Sequence, residues 1–377
     1  MPQRPIPVSS RLSEVRYEIR GALSRRAREL EAEGRDIVRL NIGNPGLFGF
    51  RVPEPVRTAV AAHLGESEAY CQQQGLAEAR GNIVLVEPLV DGVEVTVNAF
   101  SVDVEDWFQV SDFEDQIPLG EWDRYESRVV QNTRRLLALL GEFEVKATFF
   151  ILTWNAERYP GLVEEIAAEG HEIATHGHSH RLVYEQGKDL YRRDLEHSLE
   201  ILRRAVGDRV RGYRAPSFSV TTRSMWALDV MLESGIEYDS SIFPVQDSLY
   251  GIPSALRFPF VIHKAGAKNL IEFPMTTTRV GGRNLPLGGG AYLRLLPYHY
   301  MRWGMRRVNR EGEAAIVYLH PWEIDPGQPR LKIRGKRGFS THYLRLDSME
   351  DKLRRLLTDF RFAPVGQVLA QRGLLPH

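Results

Sequence analysis

The sequence predicts an α/β fold in which parallel strands, wrapped by helices, close into a barrel. Two observations lead to this prediction. From about residue 97 onward, short apolar segments alternate with longer segments whose apolar residues recur at helical spacing. In addition, Asp, Arg and His side chains directly follow several of the short apolar segments. Functional groups at the carboxyl ends of many strands favour a barrel over an open sheet.

The alternating segments can be placed in chain order. Short apolar patterns predict strands near residues 98–104, 145–152, 171–175, 209–213, 236–239, 269–274 and 314–320. Helical periodicity predicts helices near residues 126–140, 156–169, 187–206, 222–234, 297–310, 347–359 and 365–372. The stretch 241–294 is the least regular, and we expect it to supply substrate-facing loops, although its glycines can also be ordinary turns.

The region before residue 97 has a different pattern. It predicts a helix over 12–33, a short strand over 37–45 that runs into a turn, and a helix over 53–64 that begins with a proline. Residues 82–96 alternate enough for one or two joining strands. The sequence therefore predicts an N-terminal segment at 1–81, a joining segment at 82–96 and a main domain at 97–377.

Composition narrows the function classes. Lys plus Arg and Asp plus Glu are equal at 49 each, so no global charge favours nucleic acid or an acidic membrane surface. A single cysteine, Cys71, excludes an intramolecular disulfide. No apolar run approaches the roughly 20 residues that cross a bilayer, and the N-terminus lacks the apolar core of a signal peptide. We therefore expect a cytoplasmic protein, and the sequence does not indicate an oligomeric state.

A histidine cluster, His176-Gly-His178-Ser-His180, follows the strand predicted at 171–175. His176 and His180 are four residues apart, so a single helical turn would put both rings on one face, with His178 pointing elsewhere. Neutral imidazole is a common zinc ligand. The alternative is a polar loop that happens to be rich in histidine, because two ligands do not make a metal site.

Other strand ends supply further candidates. The strand at 98–104 ends in Asp103-Val-Glu105-Asp106, whose carboxylates could form a site or simply cap the next helix. Arg214 follows the strand near 209–213, and His320 ends the strand near 314–320. The same arrangement therefore occurs four times along the chain, which favours a shared site.

In identity and order, these residues resemble the NodB-homology polysaccharide deacetylases of carbohydrate esterase family four. The resemblance covers residues 95–375 and is strongest to the branch associated with bacterial exopolysaccharide and exosortase loci. It implies a distorted (β/α)7 barrel, preceded here by a small, loosely attached, α-rich N-terminal segment. It also implies a role for each matched position: Asp103 as catalytic base, His176 and His180 as metal ligands, Arg214 and Pro216 as the RxP motif, and His320 as general acid.

Two positions depart from the family pattern. The usual adjacent acid pair is replaced by Asp103-Val-Glu105-Asp106. Since alternate residues of a strand face one way, we favour Glu105 as the metal-binding carboxylate and keep Asp106 as the alternative. No clear Asp-x-x-Trp motif lies between residues 275 and 310, so the residue that tunes His320 is left unassigned.

The resemblance implies metal-dependent removal of N-acetyl groups from hexosamine residues of a bacterial exopolysaccharide. A divalent metal, with zinc as first choice, would lower the pKa of water and polarise the carbonyl, and Arg214 would hold Asp103 ionised. Substrate contacts are expected from Pro216, Phe218, Tyr238 and Trp322. Two alternatives stay open: a hydrolase of the same scaffold acting on a ureide or cyclic imide, and a catalytically silent carbohydrate-binding protein.

Residues 9–80 resemble the N-terminus of class I alanine-type aminotransferases, through Tyr17-Glu-Ile-Arg-Gly, Leu40-Asn-Ile-Gly-Asn-Pro45 and Phe48-Gly-Phe50. In those enzymes the lysine that binds pyridoxal phosphate lies much later in the chain. No strand-loop-Lys segment follows here, so neither transamination nor pyridoxal phosphate is expected. We expect residues 1–94 to be dispensable for catalysis, unless the helix at 12–33 covers the barrel or forms a dimer contact.

Overall fold

The computed structural model describes residues 96–247, 250–266, 268–331 and 341–376, together with a few isolated residues before position 60. The chain divides into two units, Met1–Val86 and Glu87–His377. The description below concerns the second unit. The helices predicted at 12–33 and 53–64, the strand at 37–45 and the joining strands at 82–96 lie outside the described residues.

The main sheet is built from parallel strands that pair in the order β10-β1-β2-β3-β4-β5-β7. Each of the seven strands predicted from the sequence is present, which confirms the α/β barrel. The strand bounds are β1 Asn98–Val104, β2 Thr148–Ile151, β3 Glu172–Thr175, β4 Gly212–Tyr213, β5 Tyr238–Asp239, β6 Phe260–Ala265, β7 Lys268–Glu272, β8 Thr277–Val280, β9 Arg283–Pro286, β10 Ile316–Leu319 and β11 Phe362–Ala363.

Four of these strands were not predicted. Strand β6 pairs antiparallel with β7, and β8 pairs antiparallel with β9, so the stretch 241–294 contains two hairpins rather than loops alone. Gly281 and Gly282 have positive φ at the β8–β9 turn, as a tight hairpin turn requires. The short strand β11 pairs in parallel with β1.

The gap between β7 and β10 is bridged by residues 276–290 instead of by direct strand pairing. Thr276 Oγ1 donates to the Ile316 carbonyl at 2.8 Å, and the Tyr318 amide donates to the Gly288 carbonyl at 2.7 Å. A Cβ atom at Gly289 would lie 1.9 Å from the Tyr318 carbonyl oxygen, so only glycine allows this approach. These contacts close the barrel.

Helices cover the outside of the barrel. Their bounds are α1 Val129–Glu142, α2 Thr153–Arg158, α3 Pro160–Ala168, α4 Lys188–Val206, α5 Ala227–Glu233, α6 Ala291–Leu295, α7 Tyr298–Arg310, α8 Met349–Asp359 and α9 Val365–Gln371. The single helix predicted at 156–169 is divided into α2 and α3 because Pro160, which has no amide hydrogen, begins a new helix. Helix α6 was not predicted.

The core lies on both faces of the sheet. Every residue of β1 is buried, including the polar Asn98, Ser101 and Asp103, so the strand is covered on both faces. Helices α1 and α4 bury leucines at helical spacing, such as Leu136 and Leu140, against the outside of the sheet. Within the described ranges, every helix is too short or too polar to cross a membrane.

Candidate metal centre and catalytic site

The predicted site residues meet at the carboxyl ends of the strands. Asp103 and Glu105 lie at the end of β1, and His176 and His180 follow β3. Arg214 follows β4 and His320 follows β10. Because β10, β1, β2, β3 and β4 are consecutive in the sheet, their carboxyl ends share one edge of the barrel. The structure thus brings together side chains that are more than 200 positions apart in the sequence.

Glu105, His176 and His180 form a compact buried cluster. Glu105 Oε1 lies 2.8 Å from His176 Nε2 and 2.9 Å from His180 Nε2. The three ligand atoms all lie within 4.8 Å of one another, and all three residues are buried. Two imidazole nitrogens and one carboxylate oxygen converging in this way are a common donor set of catalytic zinc sites.

The chain from 176 to 180 is a loop, so the predicted helical turn is wrong. Gly177 has φ +74° and His180 has φ +54°, both in the left-handed region. Asp194, on α4, accepts hydrogen bonds from the amides of His178 at 2.9 Å and Ser179 at 3.0 Å. Positive φ values and the Asp194 anchor, rather than helical periodicity, bring the rings of His176 and His180 together.

The protonation pattern of this cluster suits a bound cation. His176 Nδ1 lies 2.8 Å from the carbonyl oxygen of Arg214, which can only accept, so Nδ1 carries the hydrogen. In the neutral ring, Nε2 then directs a lone pair toward the Glu105 carboxylate. Burial raises the pKa of Glu105, but the imidazoles of His180, His320 and His176 lower it well below its usual range. Lone pairs and an ionised carboxylate facing one point fit a divalent metal ion.

Asp106, the alternative carboxylate, faces away from this cluster. It accepts hydrogen bonds from the amides of Arg128 at 2.9 Å and Val129 at 3.2 Å and from Ser127 Oγ at 2.6 Å, and so caps the start of α1. Burial raises the pKa of Asp106. The preference for Glu105 therefore agrees with the geometry, although β1 ends at Val104 and the chain turns there, so strand alternation is not the cause.

Asp103 is paired with Arg214. Arg214 Nη1 donates to Asp103 Oδ1 at 2.6 Å and to Ser101 Oγ at 2.8 Å. The rest of the guanidinium donates to the Ser240 side chain at 2.9 Å and to its carbonyl at 3.1 Å, and it lies over the Phe150 ring at 4.1 Å. Arg214 is fully buried, so these contacts fix its orientation and that of the Asp103 carboxylate.

His320 stands across the site with its own carboxylate partner. Its Nδ1 lies 2.6 Å from Glu323 Oε1, and its Nε2 lies 3.9 Å from Glu105 Oε1. Glu323 is held in turn by Arg294, whose Nε donates at 3.1 Å. Burial lowers the pKa of His320, but the Glu105 and Glu323 carboxylates together raise it to about 9.

Sequence reasoning missed Glu323. The family pattern places the residue that tunes His320 between 275 and 310, whereas Glu323 lies three residues after His320 on a single 3-10 turn, Pro321–Ile324. An acid three positions after a histidine, with a proline between them, was an available signal for such a turn. Arg294 is almost fully buried against Glu323, and no local pattern marks it.

The residues predicted to contact the substrate differ in how close they lie to the site and in how far they are buried. Pro216 and Phe218 lie on the short turn after Arg214, and Phe218 packs edge-on against Tyr318 at 4.9 Å. Trp322 is 4% exposed and stacks on the His320 ring at 5.1 Å, so it holds the imidazole instead of lining an open surface. Tyr238 is wrong as a substrate contact.

Tyr238 lies inside the barrel with no exposed surface. Burial, and then the charge of Glu172, raise the pKa of its phenol well above the usual range. Glu172 begins β3, at the opposite end of the strands from the candidate site. The Tyr238 ring also fills the space above Gly212, where an added Cβ would lie 2.1 Å from that ring. Tyr238 is therefore a packing residue of the barrel interior.

A pocket opens beside His180. Apolar and aromatic side chains from the segment after β1 form one wall, and polar groups from the histidine loop form the other. Its lining includes Phe108, Ser111, Glu114, Pro118, Leu119, Trp122, Ser179 and Arg181. Sequence reasoning missed this pocket, because segment 107–122 is irregular and shows no periodic pattern. A pocket of this kind beside the metal cluster can receive a ligand with both apolar and polar faces.

Two family models match the chain. Residues 116–237 match the model described as polysaccharide deacetylase. Residues 240–370 match a model described as a domain of unknown function, DUF3473. The first match includes His176, His180 and Arg214, and the second includes His320 and Glu323.

Curated relatives fall into two groups. Glutamate-pyruvate aminotransferase AlaA of Escherichia coli K12 is 42% identical over 80 residues, which is 21% of this chain and 20% of that protein. Peptidoglycan-N-acetylglucosamine deacetylase of Bacillus cereus is 37% identical over 98 residues, 26% of this chain and 36% of that protein. The chain thus spans only about a fifth to about a third of the length of these relatives.

Among solved structures, a protein assigned as a polysaccharide deacetylase from Mycobacterium smegmatis superimposes with a TM-score of 0.53. The match covers 76% of this chain and 94% of that one, at 21% identity. At this identity the likeness concerns the fold, and it agrees with the barrel described above.

Proposed function

We propose that this chain removes N-acetyl groups from hexosamine residues of a bacterial exopolysaccharide in a metal-dependent reaction. The premise is that the chain belongs to the polysaccharide deacetylase family through the domain matched above. One observation carries the proposal. The Glu105–His176–His180 cluster, an Asp103–Arg214 pair and a His320–Glu323 pair lie together at the carboxyl ends of the strands. Amide hydrolysis needs a Lewis acid, a base and an acid in this kind of arrangement.

Glu105, His176 and His180 are the residues that would hold the metal. When bound there, a divalent ion such as zinc supplies Lewis acidity toward the acetyl carbonyl and makes water a better nucleophile near neutral pH. The His176 Nδ1–H bond to the Arg214 carbonyl keeps the ring in the tautomer that such binding requires.

Asp103 accepts the proton of the attacking water. The residue is 2% exposed, and the hydrogen bond from Arg214 Nη1 fixes the orientation of its carboxylate. As the water oxygen bonds to the acetyl carbon, its proton passes to Asp103. Ser101 and Ser240 accept three further hydrogen bonds from the guanidinium, which hold Arg214 in place when Asp103 becomes protonated.

His320 protonates the leaving amine. Its Nδ1–H is held by Glu323, so the proton on Nε2 faces the site. A raised pKa keeps the imidazole charged at neutral pH and able to give that proton as the carbon–nitrogen bond breaks. Acetate and a free amine are the products. Trp322, stacked on the ring, restricts its rotation.

The substrate class rests on separate support. A relative named as a deacetylase of N-acetylglucosamine in peptidoglycan shares 37% identity over part of this chain. The pocket beside His180 combines apolar side chains such as Pro118 and Leu119 with polar groups such as Ser111 and Ser179, which suits a sugar ring with one apolar face and hydroxyl groups around it. The exopolysaccharide itself is inferred from the resemblance to that branch of the family.

The test is acetate release from a short oligomer of N-acetylhexosamine by the metal-loaded protein, with free amines counted in parallel. Equal amounts of acetate and amine, abolished in Asp103→Asn, support the proposal. Release of ammonia or urea from a ureide, with no acetate from any acetylated glycan, would replace it with the alternative hydrolase. Binding of the oligomer without either product would make the protein a silent carbohydrate-binding protein.

A further inference from the structure

A second set of ligand-type side chains lies next to the histidine loop. Glu157 on α2, His178 in the loop and His197 on α4 place their ligand atoms within 4.8 Å of one another. His197 Nε2 is 3.3 Å from Glu157 Oε1, and His178 Nε2 is 3.9 Å from Glu157 Oε2. The two imidazole rings lie with centroids 4.6 Å apart.

We propose that Glu157, His178 and His197 bind a second divalent transition-metal ion. With zinc-ligand bonds of about 2.0–2.2 Å in a tetrahedral site, neighbouring ligand atoms lie about 3.3–3.6 Å apart. The His197 Nε2–Glu157 Oε1 separation of 3.3 Å lies at the lower limit of that range, and the His178 Nε2–Glu157 Oε2 separation of 3.9 Å lies just above it. All three ligand atoms lie within 4.8 Å of one another, so side-chain rotations can bring them to one ion. Imidazole nitrogens favour zinc, nickel or copper over the hard ions magnesium and calcium.

The hydrogen bonds behind His178 orient it for this role. Thr153 Oγ1 lies 3.2 Å from both the Gly177 carbonyl oxygen and His178 Nδ1, so when the hydroxyl donates to the carbonyl it accepts from Nδ1. That leaves Nε2 without a hydrogen and directed at Glu157. An outer hydrogen bond that fixes the tautomer is a regular feature of metal-binding histidines.

The two sets share one loop but face opposite ways. His176 and His180 point into the barrel mouth, and His178 between them points out toward α2 and α4. The outer ligands are accessible to ions from solvent, with side chains between 21% and 47% exposed. A metal there would join α2, the loop and α4, and Asp194 already ties that loop to α4 one turn before His197. The expected consequence is a more rigid loop. The proposal does not depend on the reaction proposed above.

The experiment is equilibrium dialysis of the full chain against zinc, followed by metal analysis. Wild type should bind two equivalents, and His197→Ala and Glu157→Gln should each bind one with acetate release unchanged. His176→Ala should also bind one, but through loss of the other site. The same protein should gain thermal stability in zinc, and His197→Ala should gain less.

A matched control is His263→Ala. His263 is half-exposed and pairs with Asp229 at 2.7 Å, but no third ligand group joins them among the described residues. This variant should still bind two equivalents. A single equivalent in wild type that disappears in His176→Ala overturns the proposal, as does an unchanged count in His197→Ala. One equivalent in wild type that is kept in His176→Ala but lost in His197→Ala would support the outer site and contradict the metal site of the proposed reaction.

Discussion

The carboxylate of Glu323 should set the alkaline limit of activity. Replacing it by Gln keeps the size of the side chain and an oxygen that can accept from His320 Nδ1, but removes the negative charge 2.6 Å from the ring. A hydrogen bond to a charged group contributes about 1.5–3 kcal/mol against about 1 kcal/mol for a neutral one. Since 1.36 kcal/mol corresponds to one pKa unit, the pKa of His320 should fall by about one unit or slightly more.

The direction of the activity change follows from the role of His320 as an acid. The protonated ring is the active form, so turnover falls as pH rises through its pKa, which the Glu105 and Glu323 carboxylates raise. In Glu323→Gln that limb should move down by about one pH unit relative to wild type, while activity at pH 6 changes little. A metal ion at Glu105 would offset the charge of that carboxylate in both proteins, so the test is the difference between the two alkaline limbs.

The assay is the pH dependence of kcat for acetate release, measured on wild type and variant with equal metal content. Asp325→Asn is the matched control, because Asp325 lies on the same segment but bonds to Arg128 at 2.7 Å and Asn132 at 3.1 Å instead of to His320. Its alkaline limb should stay in place. An alkaline limb that does not move in Glu323→Gln would refute the pairing of Glu323 with the general acid.

Three further outcomes follow from the structure. Glu105→Ala should abolish metal binding, as measured by dialysis. Asp106→Ala should keep the metal and lower the free energy of unfolding by about 1 kcal/mol through loss of the α1 cap. The reverse pattern would contradict the ligand assignment. Gly289→Ala should lower the free energy of unfolding, measured in urea, by about 2 kcal/mol or more, because the new Cβ meets the Tyr318 carbonyl. The control Gly120→Ala should cost less than about 0.5 kcal/mol, because a Cβ at that position meets nothing within 4 Å. Equal effects would contradict the closure of the barrel at Gly289. Burial raises the pKa of Glu272, so the folded protein holds this proton more tightly than the unfolded chain and wild type should lose stability as pH rises from 5 to 8. Glu272→Gln, which has no such proton, should lose less stability over the same range. Parallel curves of unfolding free energy against pH for the two proteins would rule the burial effect out.

The sequence was enough to locate the parallel strands, for a physical reason. Strands buried on both faces are rich in apolar residues, and β2 (TFFI) and β10 (IVYL) are buried along their full length. The hairpin strands β6 and β9 are half-exposed, so their patterns are mixed, and β11 has only two residues. The hydrophobic patterns of these strands therefore cannot be distinguished from the pattern of a loop.

At the site, residue types were predictable but their partners were not. Strand ends identified Asp103, His176 and His320, since polar groups there have no role in an apolar core. The left-handed φ of His180 could not be read from spacing, so the loop was taken for a helical turn. Arg294, which holds Glu323, is contributed by a distant helix, and only tertiary packing reveals such a partner.

The most direct test of metal-dependent deacetylation is a single titration. The purified chain is stripped of metal, zinc is restored until binding is saturated, and acetate release from an N-acetylhexosamine oligomer is measured before and after. Wild type should go from no release to full release, while His180→Ala should stay inactive at every zinc concentration. Acetate release by the stripped protein at the same rate, or by His180→Ala after zinc is added, would contradict a reaction that depends on the Glu105–His176–His180 centre.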